Sequence, residues 1–106
     1  MVGNFQKTSH NVGRKKVFAS NQGTSSCLTQ MAYGELDPGE IIKPHKHPTM
    51  EEYFYFIEGN GYYRVSGENY DISPGSYIKI PSNTMHSLVC NDGDILKFVY
   101  FGISIG

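Results

Sequence analysis

Three of the four histidines in this chain are spaced as metal ligands would be on β-strands. His45 and His47 are two residues apart, Glu52 follows His47 by five residues, and His86 lies thirty-four residues beyond Glu52. Successive side chains of a strand point to opposite faces, so His45 and His47 share a face if one strand carries both. Three imidazoles and a carboxylate suit iron, manganese, zinc, nickel or copper better than calcium. The sequence therefore predicts one divalent metal ion bound by these four residues.

The elements that must position these residues are predicted to be short strands. From residue 26 onward, runs of β-branched and aromatic residues alternate with turns rich in Gly, Pro and Asn, and no window has an apolar repeat of helical period. The predicted strands are 27–36, 41–47, 52–58, 62–66, 69–72, 76–80, 87–90 and 95–103. Short strands joined by such turns predict an all-β sandwich or barrel.

The strand predicted at 52–58 is aromatic on both faces. Its even-numbered residues, Glu52 among them, should point into the barrel, which leaves Tyr53, Tyr55 and Ile57 on the outer face. An exposed apolar face of this kind usually marks an interaction surface. We therefore expect a homodimer, in which a second subunit or the N-terminal segment covers the face.

Length and composition indicate one small domain. The chain has 106 residues, of which 39% are hydrophobic, and this is enough for one core without disulfides. Segment 1–25 is polar and is expected to be an arm or edge strand, with the barrel at 26–106. Cys27 and Cys90 are expected to be reduced and largely buried. The sequence has no secretory signal or long apolar run, which predicts a cytoplasmic protein that does not contact membranes.

Basic residues are concentrated near the N-terminus. Residues 1–34 contain four basic residues and no acid, although the whole chain has a net charge of -1. Three of the four are consecutive, Arg14, Lys15 and Lys16. Because no aromatic residues are interleaved with them, this run is typical of a solvated turn, and we do not expect nucleic-acid binding.

Residues 39–91 resemble the two signature motifs of the cupin superfamily. The first motif is a glycine, five residues, His-x-His, three or four residues, a glutamate, six residues and a glycine. It is matched here by Gly39, His45, His47, Glu52 and Gly59. Glu51 is a rival for the carboxylate position, since the gap in the family varies, but only Glu52 keeps the six-residue spacing to Gly59.

The second cupin motif is matched in part. It consists of a glycine, five residues, Pro-x-Gly, two residues, a histidine, three residues and an asparagine. Gly75, Pro81 and His86 fit it, whereas Asn83 replaces the second glycine and Cys90 replaces the asparagine. Asparagine accepts a positive φ more readily than other non-glycine residues, so Asn83 is a mild departure. We expect Cys90 to fill core volume, and its role in the site stays open.

The resemblance implies a single-domain jelly-roll barrel, or double-stranded β-helix, whose metal ligands are His45, His47, Glu52 and His86. Cupins include isomerases, lyases and dioxygenases as well as binding modules, so the fold does not choose among functions. Our first hypothesis is a metal-dependent enzyme acting on a small oxygenated metabolite such as a sugar, uronate or keto acid. The candidate proton-transfer groups are Glu51, Tyr53, Tyr55 and Tyr63. The alternative is a non-catalytic module that binds a sugar-like small molecule.

Overall fold

Ten strands in two antiparallel sheets make up the part of the chain that the computed structural model describes, residues 6–7, 13–20 and 27–105. In chain order they are β1 (Gln6–Lys7), β2 (Arg14–Ser20), β3 (Leu28–Leu36), β4 (Ile41–His45), β5 (Met50–Glu58), β6 (Gly61–Val65), β7 (Glu68–Ile72), β8 (Tyr77–Ile80), β9 (His86–Cys90) and β10 (Leu96–Ser104). Strands β3 to β10 match the eight predicted from the sequence to within two residues at each end. These ranges contain no helix, and hence none that could cross a membrane.

The chain passes repeatedly between the two sheets. The larger sheet has the order β1-β2-β3-β10-β5-β8, and the smaller has the order β4-β9-β6-β7. From β3 onward each strand lies in the sheet opposite its predecessor, except that the hairpin of β6 and β7 stays in the smaller sheet. This connectivity is that of a jelly-roll barrel, so the predicted fold class is confirmed.

The core lies between the sheets and is built from alternate residues of their strands. On β5 the even-numbered residues Glu52, Phe54 and Phe56 are buried, as the period of two predicts. The Phe54 ring stacks on the ring of Tyr100 from β10, with centroids 5.1 Å apart. The buried apolar cluster consists of Leu36, Phe54, Phe56, Tyr63, Ile72, Ile80, Leu88, Cys90, Leu96 and Phe98.

The interpretation of the basic run as a solvated turn is wrong. Arg14, Lys15 and Lys16 begin β2, which pairs with β3 at the edge of the larger sheet. Arg14 lies opposite Glu35, and its guanidinium donates a hydrogen bond to the Glu35 carboxylate at 2.5 Å. Tyr33 also donates to Glu35, at 2.8 Å. The pairing of β2 with β3 and the cross-strand contact of Arg14 with Glu35 place the basic residues in a sheet, which their composition alone does not reveal.

Much of the predicted N-terminal arm lies outside the described residues. Residues 1–5, 8–12 and 21–26 belong to this part, and so does His10, which falls outside both motifs. In the described part of the arm, β1 pairs with β2.

Alternate residues of the larger sheet form an apolar outer face. On β5 these are Tyr53, Tyr55 and Ile57, of which Tyr55 is 49% exposed and Ile57 is 47% exposed. The Tyr53 ring stacks on Phe101 of β10, with centroids 4.9 Å apart. Tyr77, opposite Tyr55 on β8, is 82% exposed. Within the described residues, the outer face of β5 and β8 is therefore left largely uncovered.

Candidate metal centre

The four predicted ligands come together from both sheets. His45 at the end of β4 lies directly opposite His86 at the start of β9, in the smaller sheet. Glu52 reaches them from β5 in the larger sheet, and its side chain is buried. His47 lies in the connection between β4 and β5. One ligand atom from each of the four residues lies within 4.8 Å of the others, so this cluster could hold a metal ion.

His47 reaches the cluster by a different route from the one predicted. Strand β4 ends at His45, and its pairing with β9 becomes irregular between Ile42 and His45. Pro44 lies within this irregularity and has no N–H to donate to the ladder. The carbonyl of His47 instead accepts a hydrogen bond from the Asn83 N–H, at 2.7 Å. His47 therefore joins His45 through a loop held by the second motif, and their ring centroids lie 5.0 Å apart.

Backbone hydrogen bonds orient two of the imidazoles. Nδ1 of His45 is 2.8 Å from the carbonyl oxygen of Lys43, and Nδ1 of His86 is 2.8 Å from that of Thr84. A carbonyl oxygen can only accept, so each Nδ1 carries the hydrogen and each Nε2 of a neutral ring keeps its lone pair. Histidine ligands of metals are commonly fixed in this way.

Two buried acceptor atoms at the centre of the cluster have no hydrogen-bond donor among the described residues. Oε1 of Glu52 is 3.2 Å from Nε2 of His86 and 3.4 Å from Nε2 of His47. Neither Glu52 Oε1 nor His86 Nε2 has a hydrogen-bond partner among the described residues, although both atoms are buried. Two facing lone pairs in a buried site are destabilising unless a cation lies between them. A proton could join this pair, but only a metal ion could join all four residues.

The spacing of the ligand atoms also fits a metal ion. In an octahedral shell, ligands about 2.1 Å from an ion are roughly 3 Å apart when adjacent and about 4.2 Å apart when opposite. The two contacts of Glu52 fall near the first value, and the 4.8 Å limit of the cluster is slightly above the second. A small contraction would bring all four atoms into bonding distance.

A cavity of about 140 Å³ opens beside the cluster. His45, His47 and Glu52 form part of its wall, and most of the remaining wall is apolar or aromatic. The polar residues of the wall beyond the cluster come from β2 and β3 and are Arg14, Lys15, Gln30 and Glu35. The site therefore combines candidate metal ligands with a pocket for a small molecule.

Two tyrosines face this cavity, one of which sequence reasoning missed. Tyr63 is buried beside His86, with ring centroids 6.1 Å apart, and Tyr100 lies on β10 next to Phe54. Burial and then the charge of Glu52 raise the pKa of Tyr63 well above its usual value, and burial raises the pKa of Tyr100 to about 12. Both phenols thus keep their protons and can donate hydrogen bonds. The parity of Tyr100 with Phe98 on one strand was the signal that could have revealed it.

The other candidate proton-transfer groups lie on the opposite side of the larger sheet. The Tyr53 hydroxyl donates to Oε1 of Glu51 at 2.7 Å, and Lys79 Nζ is 3.6 Å from the same carboxylate. Tyr55 shares this outer face. Of the four candidates, only Tyr63 lines the cavity.

Cys90 lies in the core and not in the cavity wall. It is 1% exposed, and its thiol donates to the carbonyl of Asp94 at 3.3 Å. Burial raises the pKa of the Cys90 thiol, which therefore stays protonated. Cys27 is an exposed thiol, so the predicted burial holds only for Cys90, and the reduced state of both thiols stays a prediction.

Comparison with known families identifies the class of protein. The sequence model described as the cupin domain matches residues 32–102, well over half of the chain. The chain therefore belongs to the cupin family, as its motifs predicted.

The curated relatives are longer proteins with diverse names. The chain is 34% identical over 70 residues to tetracenomycin polyketide synthase protein TcmJ of Streptomyces glaucescens, a match covering 66% of this chain and 46% of that protein. It is 35% identical over 49 residues to quercetin 2,3-dioxygenase of Bacillus subtilis, covering 46% of this chain and 14% of that enzyme. The matches thus span less than half the length of these curated relatives.

The fold is also similar to that of solved structures. One is a crystal structure described as a predicted oxalate decarboxylase from Thermotoga maritima, with a TM-score of 0.81 and 22% identity. The match covers 99% of this chain and 100% of that one. At this level of identity the similarity concerns the fold alone.

Proposed function

We propose that this cupin binds one divalent metal ion through His45, His47, Glu52 and His86 and is a metal-dependent enzyme acting on a small oxygenated metabolite. The observation that carries the proposal is the pair of buried, partnerless atoms Glu52 Oε1 and His86 Nε2, 3.2 Å apart. The substrate is a sugar, uronate or keto acid. The reaction is an isomerisation, lyase reaction or oxygenation.

A bound ion would supply Lewis-acid or redox chemistry at the wall of the cavity. The chain's own residues bind and orient the substrate. Tyr63 and Tyr100 donate hydrogen bonds to its oxygens, and the apolar wall formed by Leu36, Phe54 and Phe98 excludes water. Glu35 of the same wall is engaged by Arg14 and Tyr33, so it is a poor general base.

The scarcity of free acid–base groups in the cavity favours a second candidate function. Beyond the four candidate ligands, the described wall offers no histidine, and its one further carboxylate is that of Glu35. A non-catalytic module that captures a small ligand through the metal would need no such group. This alternative predicts binding without turnover.

Metal analysis tests the shared part of the two candidates. We expect protein purified without chelator to carry about one divalent ion per chain, measured by mass spectrometry of the elements, because four neutral or anionic donors converge on one point. A metabolite screen then compares the metal-loaded form with chelator-treated protein. Metal-dependent turnover supports the enzyme, and binding without turnover supports the module. Protein that neither retains nor takes up a divalent ion contradicts both.

The uncovered outer face of the larger sheet supports a homodimer, with the face of one chain against that of a second. We expect a mass of two chains by light scattering at micromolar concentration, because Tyr55, Ile57 and Tyr77 form a continuous exposed apolar surface. Tyr55→Lys should weaken the dimer, since it places a charge at the centre of that surface.

Tyr70→Lys is the matched control for the dimer. Tyr70 is 45% exposed, close to the 49% of Tyr55, but it lies on β7 in the smaller sheet. The control variant should keep the mass of the unaltered protein. A mass of one chain for the unaltered protein would rule out the dimer.

The cytoplasmic location stays a prediction.

A further inference from the structure

Strand β2 contributes a lysine to the wall of the cavity. Lys15 lies opposite Gly34 of β3, and Gly34 lies opposite Phe98 of β10. Gly34 and Phe98 are both buried, so this row of the larger sheet faces the interior. The ring of Phe98 fills the space over Gly34, where a Cβ would lie 2.6 Å from Phe98 Cε2. The flexible stem of Lys15 can pack at the edge of this apolar row while the ammonium stays at the rim of the cavity.

Lys15 is the cation of this wall that has no ion-pair partner among the described residues. The other cation, Arg14, is engaged by Glu35 at 2.5 Å and lies 3.7 Å from Asp37. Glu52 belongs to the candidate metal cluster. Because Arg14 and Glu35 offset each other, the charge of Lys15 is left for the ligand. A divalent ion at the cluster would outweigh the charge of Glu52 and make the cavity still more positive.

We propose that Lys15 binds the carboxylate of a sugar-sized hydroxy acid whose other end faces the metal cluster. This inference rests on the proposed function, because the end of the ligand away from the carboxylate faces the proposed metal site. A carboxylate is the common anionic group of such metabolites, and its charge-assisted hydrogen bond to an ammonium is stronger than a neutral one.

The strand order sets the length of the ligand. Lys15 is on β2 and Glu52 is on β5, with β3 and β10 between them. Three spacings of about 4.8 Å separate β2 from β5, roughly 14 Å across the sheet. The row of Lys15, Gly34 and Phe98 meets β5 at Phe56, four residues from Glu52. This offset adds roughly 13 Å along the strand, so the backbones of Lys15 and Glu52 are about 19 Å apart before side chains and curvature are considered. The carboxylate and the metal-facing oxygen must therefore lie several bonds apart. A sugar acid of five or six carbons satisfies this, whereas a two-carbon acid does not.

Calorimetric titration of three variants tests the role of Lys15. The ligands are glucuronate and galacturonate, each compared with its neutral parent sugar, glucose or galactose. Lys15→Met keeps the stem and removes the charge, and we expect it to weaken binding of the acids by about tenfold or more without changing that of the neutral sugars. Lys15→Arg should restore part of the affinity. Lys16→Met removes the same charge from the next residue of β2, which lies opposite Tyr33 and so on the other face of the sheet, and should leave binding unchanged.

Each titration uses zinc-loaded protein and chelator-treated protein, with metal content measured separately. One outcome separates the two proposals. If neither the unaltered protein nor the variants retain zinc, but the unaltered protein still binds the acids more tightly than Lys15→Met does, the proposed metal function fails and this inference stands. If zinc binds and Lys15→Met binds the acids as tightly as the unaltered protein, the inference is overturned. It is equally overturned if the unaltered protein binds neither acid, or if Lys15→Met weakens acids and neutral sugars alike.

Discussion

Replacing Glu52 by glutamine should lower the affinity of the protein for a divalent ion by a factor on the order of 100 or more. Loss of a residue that only supports a ligand typically costs 10- to 100-fold, and Glu52 is the one candidate ligand that carries a charge. An ion bound to the folded state raises its stability. Added zinc should therefore raise the melting temperature of the unaltered protein, and the same zinc concentration should raise that of Glu52→Gln much less.

The same substitution should have the opposite effect on the metal-free protein. An amide is less costly to bury than a carboxylate, and its NH₂ group can donate to the lone pair of His86 Nε2. Chelator-treated Glu52→Gln should melt at the same temperature as chelator-treated unaltered protein or higher. A lower melting temperature of the metal-free variant would show that Glu52 is held by a proton and a hydrogen bond, and would contradict the metal site.

Glu51→Gln is the matched control, because it makes the same change one residue away on the opposite face of β5. Glutamine can still accept the hydrogen bond of Tyr53, and the partly exposed ion pair with Lys79 contributes about 1 kcal/mol at most. Metal content and the zinc-induced rise in melting temperature should be unchanged. Loss of metal in Glu51→Gln and not in Glu52→Gln would reverse the assignment of the carboxylate ligand.

Gly59→Ala should destabilise the fold by about 3 kcal/mol or more. Gly59 has a φ of 86°, in the region that disfavours other residues. A Cβ there would lie 2.8 Å from the carbonyl carbon of Ile95 and 3.0 Å from the Cα of Leu96. Both are backbone atoms at the start of β10, so no side-chain rotation relieves the overlap. Each kcal/mol corresponds to about 4–8 °C in a domain of this size.

Gly75→Ala measures the cost of placing alanine at a positive φ without the cost of steric overlap. Gly75 has a similar φ of 92°, but a Cβ there would meet no atom within 4 Å. The free energy of unfolding of Gly75→Ala should therefore fall only by the cost of a positive φ for alanine, about 1–2 kcal/mol. Thermal unfolding of the two variants under the same conditions measures the difference. Equal destabilisation would mean that the strand ends around Gly59 shift to accept a side chain.

The sequence by itself determined the types and spacing of the candidate ligands and the all-β fold, because residue types, motif spacings and strand periodicity can be read without knowing which strands pair. The period of two assigned Glu52, Phe54 and Phe56 to the interior. The motif spacing selected Glu52 over Glu51, and the cluster in the structure contains Glu52. The sequence also indicated that Asn83 could replace the motif glycine at a positive φ, and its φ in the structure is 56°.

The tertiary structure decided which residues from distant strands join the site. The placement of His47 beyond β4 depends on a hydrogen bond to Asn83, thirty-six residues later. Lys15 faces the cavity because β2 pairs with β3, and Tyr100 does so because β10 lies between β3 and β5. Strand order and register come from contacts between segments far apart in the chain, and hydrophobic periodicity carries no information about which strands become neighbours.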